Sequence, residues 1–175
     1  MTDGTGWQDM SLNLFRRLRT ELNEAVKGLD DAGLVHVPSP GTHSIGWLAW
    51  HIARGQDRDL SELLEVPQLW LTDGWADHFH LPADPADTGF THSRAQAAAF
   101  RAPGSKDLLA YHDAVHGLVE RYFADAPDSD LGRVVPSPTL RDTDTVQERL
   151  QGLLADSFAH VGQIALLRGL LPAAV

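Results

Sequence analysis

The sequence predicts an all-α protein, a four-helix bundle with a long crossover between its second and third helices. Three observations carry that expectation. Four segments of about 20 residues repeat apolar side chains at three- and four-residue steps. No segment alternates polar and apolar residues for long enough to make a strand. The residues from VPQLW to FRAPG, nearly forty, separate the second and third helices, far more than an antiparallel hairpin needs.

Taken in order, Trp7, Met10, Leu14, Leu18, Leu22, Ala25, Val26 and Leu29 form one stripe of a first helix. GLDDAGLVHVPSPGTH follows and is rich enough in Gly, Pro and Asp to be a connection. Ser44 can cap a second helix running to about Val66, with Ile45, Leu48, Ile52, Leu60, Leu63 and Leu64 as its apolar positions. A third helix starts at Ser105, after Pro103 and Gly104, and stops near Ala126, before Pro127. The fourth opens at the capping box formed by Thr145 and Glu148 and runs to about Leu170. At 1.5 Å per residue each helix is roughly 30 Å long, the length of a bundle. The crossover is long enough to traverse the bundle and set helices two and three parallel. Its Trp70, Trp75, Phe79 and Phe90 suit it to pack on the helices.

A chain of 175 residues buries a substantial core as a single domain over 1–175. It has no cysteine, so it carries no thiol nucleophile, thiolate metal site or disulfide of its own. Any sulfur chemistry has to arrive with a small molecule. A net charge of −10 without a basic stripe argues against nucleic acid as a partner. The start MTDGTGWQDM has neither a basic region nor an apolar core for a secretory signal. SIGWLAWHIA and IALLRGLLPAAV are too short or too broken to span a membrane, which requires about 20 apolar residues. The expected location is cytoplasmic, with a small molecule as partner.

The residues that can carry chemistry begin with Asp156 and His160, four apart on one face of the fourth helix beside its apolar stripe. His51 lies at the edge of the second helix's stripe. If those two helices face each other, the three side chains converge. Two imidazoles and a carboxylate suit a divalent transition metal such as zinc, nickel or ferrous iron, and three ligands leave positions open. From spacing alone, the simpler reading of Asp156 and His160 is a surface pair worth about 0.2–0.5 kcal/mol.

His112 and His116 have the same spacing on the third helix but no evident third ligand, and read as polar residues at the solvent edge before an auxiliary site. His78 and His80 read as loop residues. Trp47 and Trp50 read as packing between helices or under the crossover. The glycines form no phosphate loop, and no GxSxG elbow marks a hydrolase triad.

PSPGTHSIGWLAWHIA resembles the entry to the second helix of the DinB/YfiT-like superfamily, in which that helix carries the first metal histidine, here His51. DSFAHVGQIALLRGLL resembles the family's last helix, where a ligand pair four apart precedes Gly-Gln and then Arg; the matching residues are Asp156, His160, Gly162, Gln163 and Arg168. LTDGWADHF, residues 71–79, is similar as well. The resemblance implies a four-helix bundle with parallel second and third helices, a divalent metal on His51, Asp156 and His160, and a homodimer. Most members have histidine where this chain has Asp156, and related mycothiol-dependent maleylpyruvate isomerases have glutamate. Where an arginine often follows the last ligand, this chain has Val161.

The first functional expectation is a metal-dependent enzyme that activates a small thiol, such as mycothiol or bacillithiol, for transfer to or isomerisation of an electrophile. Arg54 and Arg168 would then contact the cofactor or a substrate carboxylate. The alternatives are a metal-dependent hydrolase using water and a stress-associated binding protein without catalysis. The fold alone does not choose among them.

Overall fold

In the computed structural model, which describes residues 6–171, four long helices run the length of the molecule. They are α1 (Trp7–Val26), α3 (Ile45–Leu64), α7 (Ser105–Asp125) and α8 (Val146–Gly169), each within a residue or two of its expected start. Residues 1–5 of the start read for a leader, and residues 172–175 of the last apolar stretch, lie outside the described residues.

Local chemistry sets the boundaries. The Ser44 hydroxyl accepts from the Trp47 amide to open α3, and Glu65 closes it in the left-handed region at φ 56°. Thr145 and Glu148 form the reciprocal capping box of α8. On α1 the buried stripe is Phe15, Leu18, Leu22 and Val26, and the helix ends three residues before the expected Leu29 because Gly28 turns the chain at φ 78°.

Each of α1 and α3 packs against both α7 and α8, so α1 lies diagonally across the bundle from α3. Arg16 and Arg19 of α1 pair with Glu120 and Asp113 of α7, which makes those helices antiparallel. Between α3 and α8, His51 meets Asp156 while Glu62 meets Arg149, again antiparallel. One apolar cluster joins Ile45 to Ala53 of α3 with Leu108, Tyr111 and Val115 of α7. A second joins Leu60 and Leu63 with Leu118, Val119 and Phe123. Helices α3 and α7 are therefore parallel, as the crossover length requires.

The connections hold more structure than the sequence suggested. The first contains a single helical turn, α2 (Asp31–Val35), and the crossover contains α4 (Leu69–Thr72), α5 (Trp75–His78) and α6 (Arg94–Ala99). The expectation of no strands needs correction: β1 (Val134–Ser137) pairs antiparallel with β2 (Asp142–Thr145), Val134 opposite Thr145. Strands of four residues are too short for an alternation signal, and β2, Asp-Thr-Asp-Thr, has no apolar side chain to alternate.

The crossover is fastened to α3 by a buried polar cluster. Asp57 accepts from the backbone amides of Leu69 at 2.9 Å and Trp70 at 2.8 Å, and from the Tyr111 hydroxyl at 2.7 Å. Fully buried, Arg54 donates to the Asp87 carbonyl at 3.0 Å and to Gln68 Oε1 at 3.0 Å, and its guanidinium lies 4.8 Å over the Trp70 ring. Trp47 and Trp50 are buried beneath the crossover, where Trp50 contacts Trp70, His92 and Phe100. Gly89, at φ 85°, passes so close that a Cβ would sit 2.8 Å from Trp47 and 2.9 Å from Trp50. No helix among the described residues is long and apolar enough to cross a membrane.

Candidate metal centre

The antiparallel α3–α8 contact brings His51, Asp156 and His160 together, with one ligand atom from each inside 4.8 Å of the others. Asp156 Oδ2 lies 3.4 Å from His51 Nε2, and Asp156 Oδ1 lies 3.2 Å from His160 Nε2. Aspartate is one methylene shorter than glutamate, yet from α8 it reaches both rings. The imidazoles meet edge to face, with centroids 5.0 Å apart. His51 is buried, His160 half-buried and Asp156 exposed, so the group opens to solvent on the carboxylate side.

The far nitrogen of each ring is also engaged. His51 Nδ1–H donates to the Thr88 carbonyl at 2.5 Å, and His160 Nδ1–H donates to Gln163 Oε1 at 2.8 Å. Those bonds select the tautomer in which Nε2 carries the lone pair and faces the carboxylate. A neutral imidazole has only one N–H. Lone pairs on both Nε2 atoms therefore point at an oxygen that is itself electron-rich, and only a cation between them, a proton or a metal ion, satisfies the arrangement.

The titration of the group reflects the same geometry. Burial would raise the Asp156 carboxyl, but its contacts with the imidazoles of His160 and His51 outweigh burial and hold it well below the usual carboxylate range. His160 is raised by its contact with Asp156, against the effect of burial. The donor set, two imidazole nitrogens and one carboxylate with oriented rings, fits a divalent transition metal.

The His51 ring is held from its other side. Trp47 stacks on it at 5.0 Å with the planes 8° apart, and His43 stacks on Trp47 at 4.1 Å. The Trp47 indole donates to His92 Nδ1 at 3.1 Å, and His92 Nε2 lies 3.0 Å from Asp87. Thr88, Gly89, Asp87 and His92 thus support the centre from the crossover, and sequence reasoning missed them. They carry no ligand spacing, and a backbone carbonyl has no sequence signature. Gln163, named from the sequence as a position matching the family's last helix, takes its role from the bond it accepts from His160.

The guanidinium groups of Arg54 and Arg168 are engaged away from the triad. Arg54 lies in the polar cluster described above; its link to the centre is the Asp87–Thr88 backbone it clamps. Arg168 donates to the carbonyls of Glu24, Ala25 and Lys27, closing the C-terminal end of α1.

His112 and His116 do not lie at a solvent edge: both are buried. The correction has a physical cause, since α1 packs over that face of α7 and carries Arg16 and Arg19 across it. His78 pairs with Asp107 at 2.7 Å on the surface, and His80 is exposed in a left-handed turn.

Comparison with known proteins agrees with this architecture. The crystal structure of a conserved protein from Enterococcus faecalis is similar, with a TM-score of 0.82 and 26% sequence identity over 94% of this chain and 96% of that one. A comparison with proteins of curated function finds no match. The family model described as the DinB superfamily matches residues 14–164, most of the chain. This protein belongs to the DinB superfamily.

Proposed function

We propose that His51, Asp156 and His160 hold a divalent transition metal, zinc, nickel or ferrous iron, and that the protein uses it to activate a small thiol of the mycothiol type for transfer to or isomerisation of an electrophilic substrate. One observation carries the metal assignment: both Nε2 atoms face Asp156 while both Nδ1–H groups are committed to oxygen acceptors. That is the geometry of oriented imidazoles whose Nε2 atoms and a carboxylate can together ligate a cation. When bound there, a divalent cation supplies a Lewis acid that lowers the pKa of a thiol or of water.

The protein's own residues do the rest. Asp156 contributes charge and stays ionised. Thr88 and Gln163 hold the rings, and three ligands leave the solvent side open to other molecules. The thiol assignment is supported by the absence of cysteine, which leaves an external thiol as the sulfur nucleophile. Arg54 positions the centre at one remove, through the carbonyls of the segment that carries Thr88.

The test is consumption of a small thiol in the presence of an electrophile such as maleylpyruvate or a chlorinated nitroarene, with metal-loaded and chelator-treated protein. Metal-dependent loss of thiol is the expected result. Turnover without thiol would overturn the thiol requirement and make water the nucleophile; no turnover with any electrophile would overturn catalysis and leave a binding protein.

A further inference from the structure

The crossover turn from Asp87 to His92 holds the His51 ring twice. The direct hold is the Thr88 carbonyl, which accepts from Nδ1. The second runs through Trp47, a buried indole whose plane lies within 8° of the imidazole it covers. The rotation of that indole is set at its one polar atom.

An indole N–H can only donate, and Trp47 Nε1 donates to His92 Nδ1 at 3.1 Å. His92 Nδ1 therefore carries the lone pair, and the ring proton sits on Nε2, 3.0 Å from Asp87 Oδ1. This tautomer is the reverse of the one His51 and His160 hold. Asp87 Oδ1 also accepts from the Gly89 amide at 3.0 Å, and the His92 amide donates to the Gly89 carbonyl at 2.9 Å, so the turn presenting His92 closes on itself. Stacking on Trp50 at 5.7 Å, with the planes 20° apart, fixes the plane of the His92 ring. None of these residues can reach the metal position as a ligand, yet each constrains the next: Asp87 sets the His92 lone pair, His92 the rotation of Trp47, and the face of Trp47 the tilt of His51.

We propose that His92 is a positioning residue of the metal centre, acting through the Trp47 indole, and that metal occupancy and order in the 87–92 turn are reciprocally coupled. The proposal rests on the metal reading of the triad and is independent of the thiol. In one direction His92 raises metal affinity; in the other, a metal on His51 tightens the turn by the same factor. Phe90, 78% exposed, projects from this turn into the wall of a cavity of about 330 Å³ that His51 and Asp156 also line. A metal that steadies the turn therefore steadies the apolar edge of that cavity.

The experiment compares zinc affinity, by competition with a chromophoric chelator, in wild type, His92→Leu, His92→Gln, Trp47→Phe and the Trp47→Phe/His92→Leu double variant. His92→Leu weakens zinc about tenfold, and His92→Gln, whose amide oxygen can accept from the indole, stays within about twofold of wild type. Trp47→Phe keeps a stacked ring but has no N–H, so adding His92→Leu to it loses no further affinity. Zinc also slows amide exchange at Gly89 and His92 in the wild type, and no longer slows it at Gly89 in His92→Leu. Wild-type affinity in His92→Leu, no rescue in His92→Gln, losses that multiply in the double variant, or exchange in the wild type that ignores zinc overturn the proposal, since a side chain serving only the stability of the crossover acts independently of the indole N–H. If the wild type retains no zinc, the metal reading fails on its own, and nitrogen-15 spectra of the metal-free imidazoles decide the positioning role. A His51 ring held as the Nδ1–H tautomer in wild type and His92→Gln, but averaged between tautomers in His92→Leu, supports it; a His51 ring unchanged in His92→Leu overturns it.

Discussion

Asp156 and His160 on α8, and His112 and His116 on α7, share one spacing and have opposite fates. On α8 the pair stands at an open seam and meets His51 of α3, and an oxygen acceptor lies behind each of the two imidazoles. On α7 the pair is covered by α1. His112 Nε2 and His116 Nδ1 are buried without a hydrogen-bond partner among the described residues, and His116 Nε2 lies 3.3 Å from Glu120 Oε1. Nearby stand Arg16 and Arg19, whose charges oppose any further cation, with Glu120 held by Arg16 and Asp113 by Arg19. Spacing along one helix thus places two donors together. A third ligand, and the sign of the surrounding charge, come from the helix packed opposite.

The difference can be broken first at the clamp that serves the α8 centre and not the α7 pair. Replacing Arg54 with alanine leaves Asp57 as an uncompensated buried charge and frees the segment bearing Thr88. A loss of about 3–5 kcal/mol is expected in urea unfolding, together with weaker metal retention.

Next, the two regions respond to pH with opposite signs. Burial pushes His112 down to about 4, with the adjacent His116 adding to the effect. The unfolded chain, titrating near 6.5, takes up this proton first as the pH falls. Stability from the neutral His112 is complete above about pH 6.5 and drains away toward pH 4, amounting to roughly 3 kcal/mol at 1.36 kcal/mol per unit. His112→Phe should flatten the urea midpoint over that window. In metal-free protein His160 works the other way. Its raised value means its contribution is present below the unfolded pKa and fades as the pH rises through the folded one.

A smaller effect sharpens the contrast at the centre itself. Gln163→Leu removes the acceptor of His160 Nδ1 without touching a ligand. Metal affinity should fall by about tenfold, read by competition with a chromophoric chelator, while the fold persists.

Much of this was legible in the sequence. The caps at Ser44 and Thr145 and the 3.6-residue stripes placed the long helices, and the crossover length gave their direction. Asp156 and His160 were visible as a pair because helical geometry is local. The hairpin was not legible, because four-residue strands leave no periodicity. Nor was the burial of His112 and His116, which is decided by α1, a helix some ninety residues away in the chain. Thr88 contributes only a carbonyl, and Gly89 matters because two indoles lie against it; neither fact is written in a side-chain pattern. Arg54 sits three residues after His51 and invites a role beside it, but its side chain is engaged in fastening the crossover to α3.

The central claim is that the α8 pair with His51 binds metal and the α7 pair does not. The direct measurement is metal content by mass spectrometry of untagged protein after incubation with zinc and removal of the excess. It would compare wild type with His51→Ala, Asp156→Ala and a His112→Ala/His116→Ala double variant. Near-stoichiometric zinc in the wild type and in the α7 variant, lost from both α3–α8 variants, is the predicted result. Zinc absent from wild type, or lost only when the α7 pair is removed, would contradict it.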